Sequence, residues 1–107
     1  MSENKARVAT IVRETGESRI AVTVNLDGTG QVEVATPIGF LKHMLNQIAK
    51  HGLIDLKVEA NGDIETGSHH IVEDTAIVLG RAIDQALGDR KGIVRMADRT
   101  CPLDEAL

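Results

Sequence analysis

Between residues 19 and 26 the chain alternates strictly, with Ile20, Val22, Val24 and Leu26 on one side and Ala21, Thr23 and Asn25 on the other, the period of a half-buried strand. Residues 7–13 read as a preceding strand, and Glu14-Thr15-Gly16-Glu17 as the hairpin turn between the two. Asp27-Gly28-Thr29-Gly30 is a stronger turn signal, because its glycines reach positive φ without a Cβ clash. A third strand is expected at residues 31–35, and three strands joined by short turns predict an antiparallel meander. The period then changes. Thr36-Pro37 reads as N-cap and first position of a helix running to about residue 50, with Ile38, Leu41, Leu45 and Ile48 as its apolar stripe and Gly52 closing it. Residues 53–60 predict a fourth strand, Ile54, Leu56 and Val58 inward, followed by an Asn61-Gly62-Asp63 turn. A second helix is expected from His69 to about Leu87, burying Val72, Ala76, Leu79 and Ile83 and ending at Gly88. The tail, residues 92–107, predicts a short strand and a turn at Pro102. The order β-β-β-α-β-α places the chain in the α+β class, as a two-layer sandwich of a four-stranded, antiparallel-rich sheet with both helices on one face.

Composition narrows the function more than the fold. At 107 residues there is room for one domain with a modest core, and a single Phe with no Tyr or Trp makes that core thin. A small aliphatic core is expected to be supplemented by association with other chains. The net charge of −4 has no basic run behind it, which argues against nucleic-acid binding. No apolar stretch is long enough to span a bilayer, and Met1-Ser2-Glu3-Asn4-Lys5 lacks the apolar segment of a secretory signal. The lone Cys101 forms no intramolecular disulfide, so a cytoplasmic location is expected.

The densest polar stretch is Gly67-Ser68-His69-His70-Ile71-Val72-Glu73-Asp74, at the predicted start of the second helix. Residues four apart lie about 40° apart around a helix, so His69 and Glu73 project together and can chelate one cation. His70 is turned about 100° away and faces elsewhere. Adjacent histidines at a helix start are often plain surface residues. Here His43 and His51 flank the other predicted helix, and no other residue type clusters so clearly.

Taken together, Leu26-Asp27-Gly28-Thr29-Gly30, Gly39-Phe40-Leu41 with His43-Met44-Leu45, His51-Gly52-Leu53-Ile54-Asp55-Leu56, Gly62-Asp63, His69-His70 with Glu73-Asp74, Ala86-Leu87-Gly88-Asp89 with Gly92-Ile93, and Asp104-Glu105-Ala106-Leu107 resemble the imidazoleglycerol-phosphate dehydratase family. The resemblance runs in order through nearly the whole chain and is to the first of the family's two half-repeats. It implies a lyase of histidine biosynthesis that removes water from imidazole glycerol phosphate to give imidazole acetol phosphate. It also implies manganese as cofactor and a homo-oligomer with metal sites at subunit interfaces.

By the same resemblance His43, His69, His70 and Glu73 correspond to metal ligands, Glu17 to the acid/base carboxylate, Arg95 to a contact near the substrate phosphate and Gln47 to a further substrate contact. Imidazole with carboxylate suits manganese, iron or zinc, and the set holds no thiolate of the zinc-finger kind. Some positions depart from the family pattern: Pro37, Lys42, Gly67, Ile71 and the segment Met96-Ala97-Asp98-Arg99-Thr100. Ile71 after the paired histidines resembles the second half-repeat's form of the motif, as in a symmetrised half that pairs with copies of itself. The alternative reading is a noncatalytic half-domain that self-assembles through shared metal sites.

Overall fold

The computed structural model describes residues 6–65 and 67–107, so the N-terminal stretch Met1 to Lys5 lies outside the described residues. The alternating pattern forms β1 (Val8–Glu14) and β2 (Ser18–Asn25), paired antiparallel through the turn in which the Thr15 N–H donates to Ser18 O at 2.8 Å. There follow β3 (Val32–Ala35), α1 (Gly39–Gly52), β4 (Asp55–Gly62) and α2 (His69–Leu87). Ile20, Val22 and Val24 from β2, Leu56 and Val58 from β4 and Val34 from β3 form one apolar sheet face. Leu45 and Ala49 of α1 and Ile71, Val78 and Ala82 of α2 pack into the same core cluster, so both helices cover that face. This is the expected α+β architecture. Among the described residues no helix is long and apolar enough to cross a membrane.

The expected meander does not form. The sheet order is β1-β2-β4-β3: β4 is inserted between β2 and β3, antiparallel to β2 and parallel to β3. The physical reason lies in the turn after β2. Asp55, at the start of β4, accepts the N–H groups of Thr29 and Gln31 at 3.0 and 2.9 Å, while Arg7 holds Asp27 on the β1 side. A Cβ on Gly28 would lie 2.5 Å from the Asp55 backbone nitrogen, so only glycine lets the loop close on β4 this tightly. The loop is therefore a bracket for β4, not a hairpin into β3.

The two amides hold the Asp55 carboxyl below its usual range. A group whose folded pKa is depressed stabilises the fold above its ordinary value near pH 4 and loses that contribution as pH falls through the lower folded value. Asp55→Asn keeps the acceptor and removes the charge. Unfolding followed between about pH 5 and 3 is expected to show a shallower loss of stability in Asp55→Asn than in the parent.

Three helix details also differ from expectation. Helix α1 starts at Gly39 with Ile38 at the N-cap, because the Thr36 hydroxyl accepts the Ile38 N–H and folds its own turn one step early. Its left-handed C-terminal residue is Leu53, at φ 55°, and Gly52 remains helical. In α2 the buried residues are Ile71, Thr75, Val78, Ala82 and Ala86, whereas Val72 and Ala76 are exposed and Leu79 and Ile83 half-buried. The helix is thus rotated by one residue, about 100°, from the predicted stripe. The tail forms no strand beyond an isolated bridge between Leu103 and Ala106 just after Pro102.

Candidate metal centre at the start of α2

The N-terminal part of α2 is tied to the sheet by a charged latch at Asp74. Asp74 accepts from the Arg13 guanidinium of β1 at 2.5 Å and from the Ser18 hydroxyl of β2. The Ser18 hydroxyl holds the Asp74 carboxyl below its usual range against partial desolvation, and Arg13 and then His70 act in the same direction. This latch fixes the rotation of the helix and with it the directions of its histidines. It also sets Ser18, the residue after Glu17, against Asp74 in the second turn of α2. The Glu17 carbonyl accepts the Asp63 N–H at 2.8 Å, and a Cβ on Gly62 would come within 2.6 Å of that carbonyl, so the link into α2 runs hard against the Thr15–Ser18 turn.

From this base His69 and Glu73 project outward on one face, as their spacing predicts. His69 Nε2 lies 3.0 Å from Glu73 Oε2 beside an open cleft lined by Ser68, His69, Val72 and Glu73. His70 points elsewhere: it is half-buried, and its Nδ1 is buried with no hydrogen-bond partner among the described residues. On α1, His43 is exposed with its ring 6.3 Å from that of Phe40. Gln47 Oε1 lies 3.0 Å from His51 Nε2, and both line a cleft of about 570 Å³ closed by Arg99, Thr100, Cys101 and Pro102 of the tail. Arg95 is exposed in the tail, and Arg99 lines the cleft beside Gln47.

The structure joins His69 to Glu73 and sets Ser18, the residue after Glu17, against Asp74, and among the described residues it brings neither His43 nor His70 into a cluster with them. Among the described residues no three of His, Cys, Asp and Glu converge where a metal ion could sit. The Arg13–Asp74–Ser18 latch escaped the sequence reading, because nothing in local spacing links positions in β1, β2 and α2. The one sequence signal was Asp74 itself, four residues after His70 and on the same side of the helix.

Residues 36–107 match the family model described as imidazoleglycerol-phosphate dehydratase. The chain belongs to the imidazoleglycerol-phosphate dehydratase family. Similar curated relatives carrying that name include one from Paraburkholderia phytofirmans, 58% identical over 101 residues that cover 94% of this chain and 52% of the relative. Others are from Bifidobacterium longum, 58% identical over 102 residues covering 95% and 51%, and from Chloroflexus aurantiacus, 58% identical over 104 residues covering 97% and 51%. The chain spans about half the length of the curated relatives it matches. Family membership accounts for the ordered motifs, and the coverage agrees with a half-repeat.

Proposed function

We propose that this chain is one half-domain, over residues 1–107, of a dehydratase acting on imidazole glycerol phosphate, with its metal centre completed across an interface. The observation that carries the reading is the His69–Glu73 pair, held at 3.0 Å on an exposed helical turn of a chain from this family. The donors fit a divalent cation in chemistry but fall short in number. One imidazole and one carboxylate make two ligands, and manganese, iron or zinc takes about four to six. His70, whose buried imidazole nitrogen has no partner among the described residues, and His43, exposed on α1, are further donors this chain would offer to a neighbouring unit.

When bound, the ion supplies positive charge against which negative charge developing on the substrate imidazole is stabilised. The chain's own residues do the rest. Glu17 lies on the tight Thr15–Ser18 turn, and in this reading its carboxylate takes a proton from substrate carbon and returns one to the departing hydroxyl, so that water leaves. Gln47 and Arg95 orient the substrate, the guanidinium through the phosphate. The Arg13–Asp74–Ser18 latch keeps the histidine pair in position during this exchange.

Purified chain supplied with manganese is expected to retain the metal and to turn over imidazole glycerol phosphate. His69→Ala is expected to weaken metal retention at least about tenfold and to abolish turnover. A chain that binds no divalent metal at any concentration would remove the proposal. The convergence of only two donors among the described residues also favours a second reading, a noncatalytic module that assembles around metal. Metal-dependent assembly without turnover would select it.

A further inference from the structure

We infer that Asn61-Gly62, at the end of β4, is a site of spontaneous succinimide formation, where the chain converts its own asparagine to aspartate and isoaspartate and thereby undoes the strand end that supports the Glu17 turn. Neither residue belongs to the proposed metal centre. The chemistry needs an asparagine amide and, on the next residue, a backbone nitrogen that is neither shielded nor engaged. Glycine meets the first condition, because it has no side chain to hinder approach to its nitrogen.

The sheet meets the second. The Asp63 N–H donates to Glu17 O at 2.8 Å, so positions 17 and 63 form a hydrogen-bonded pair across β2 and β4. Antiparallel pairs alternate, and the next pair, Ser18 opposite Gly62, is therefore not hydrogen-bonded, with the Gly62 N–H turned away from β2. On its other side β4 faces β3, whose last paired residue, Ala35, lies opposite Glu59. Gly62 stands three residues beyond that point, and its N–H has no acceptor among the described residues. Asn61 and Gly62 are both exposed, and of the two neighbouring strands only β2 pairs with them. An extended Asn61 keeps its Cγ off the Gly62 nitrogen, so the strand end must first swing open. One-sided pairing at a terminus makes that opening a low-energy event.

In the opened end the Gly62 nitrogen bonds to Asn61 Cγ and gives up its proton, the Cγ–Nδ2 bond breaks, and ammonia leaves as the succinimide ring closes. Water then cleaves the ring at either carbonyl, with no change of oxidation state. Cleavage at Cγ leaves aspartate. Cleavage at the main-chain carbonyl leaves isoaspartate, in which the backbone runs through Cβ and Cγ and is longer by one carbon.

Asp27-Gly28 shows the protected counterpart. The Asp27 carboxylate takes the Arg7 guanidinium at 2.9 and 3.1 Å and the Arg7 N–H at 2.8 Å, while the Gly28 N–H donates to Asn25 O at 3.3 Å. Electrophile and nucleophile are both occupied there. Asn25 and Asn46 precede Leu26 and Gln47, whose side chains crowd the attacking nitrogen, and Asn46 lies inside α1.

The longer backbone has a local consequence. A Cβ on Gly62 would already meet Glu17 O at 2.6 Å and Ser18 Cα at 3.0 Å, so the ladder has no room for another main-chain atom at this point. In the isoaspartyl form the Asp63 N–H leaves Glu17 O, and the Thr15–Ser18 turn loses that support. The effect on proton transfer rests on the reading of Glu17 as the acid/base carboxylate. The modification itself does not.

The test is incubation of the full chain in warm, mildly alkaline buffer, native and in urea, followed by peptide mass spectrometry and by methylation with an isoaspartyl-specific methyltransferase. A mass gain of about 1 Da at position 61, with isoaspartate among the products, is expected in the native chain. Asn61 is expected to convert at least about tenfold faster than Asn25 or Asn46, and within about tenfold of its own rate in urea. Asn61→Gln, at an exposed position, is expected to abolish the isoaspartyl signal. The isoaspartyl form, separated by ion exchange, is expected to unfold at lower urea than the parent. An Asn61 that converts in urea but stays intact in the native chain, an isoaspartyl signal that persists in Asn61→Gln, or an isoaspartyl form as stable as the parent would each overturn the inference. All of these are read without substrate or metal, so a chain that modifies itself in this way and turns nothing over keeps the inference and sinks the dehydratase reading.

Discussion

Ile71→Ala is expected to lower stability by about 3 kcal/mol, whereas Val72→Ala, one residue on, lowers it by less than about 1 kcal/mol in the isolated chain. Ile71 is fully buried in the core cluster between α2 and the sheet, and Val72 is 39% exposed. Truncating a buried isoleucine removes its transfer free energy and leaves a cavity that a thin aliphatic core refills poorly. For a chain of this size the difference corresponds to a fall in Tm of roughly 15 °C for Ile71→Ala and a few degrees for Val72→Ala. Thermal or urea unfolding of both variants measures it. Equal effects, or a reversed order, would mean that α2 presents the other stripe to the sheet.

Asp74→Ala carries the second largest expected effect, a loss of about 2 kcal/mol. Two hydrogen bonds disappear together. The Arg13 side chain, 32% exposed, recovers part of its hydration, but Ser18 is 5% exposed and its hydroxyl loses its carboxylate acceptor where water reaches it poorly. Ser18→Ala removes the same contact from the other side, so the double variant is expected to cost less than the sum of the singles by about 1 kcal/mol. Additive losses would show that the carboxylate and hydroxyl act independently. The same substitution frees the rotation of α2's first turn, so metal retention is expected to fall in Asp74→Ala even though every proposed ligand remains, a result that bulk destabilisation of a still-folded chain does not produce.

The latch explains why the sequence reading of α2 was one residue out. Val72, Ala76, Leu79 and Ile83 make a cleaner apolar stripe than Ile71, Thr75, Val78 and Ala82, because the second set includes a threonine, whose hydroxyl is buried with no partner among the described residues. Periodicity alone prefers the first. Burying it would turn Asp74 away from Arg13 and Ser18 and place bulkier side chains where Ala82 and Ala86 now let the helix lie close to the sheet. Those gains come from residues more than fifty positions away, which no window along the chain contains.

The candidate site was legible to a different degree at each residue. The His69–Glu73 pair followed from helical spacing and is found in contact. Glu17 had no local signal, since a turn carboxylate is ordinary, and the fold brings only its neighbour Ser18 into contact with α2, at Asp74. Among the described residues, His43 and His70 join no cluster of three or more metal-ligating side chains.

By itself the sequence determined the six elements, their order, the tight turns at Thr15 and Gly88, and the coupling of an imidazole to a carboxylate one helical turn apart, because each depends on residues within a few positions of one another. Tertiary structure decided the rest: that β4 slides between β2 and β3, that α2 turns its less apolar-looking flank inward, and that a second apolar flank is left facing out. A strand's alternation specifies its two faces and not its neighbours, and a helix apolar on two flanks has two ways to lie. Long-range contacts, Asp55 with the Thr29 and Gln31 amides and Asp74 with Arg13 and Ser18, choose between them.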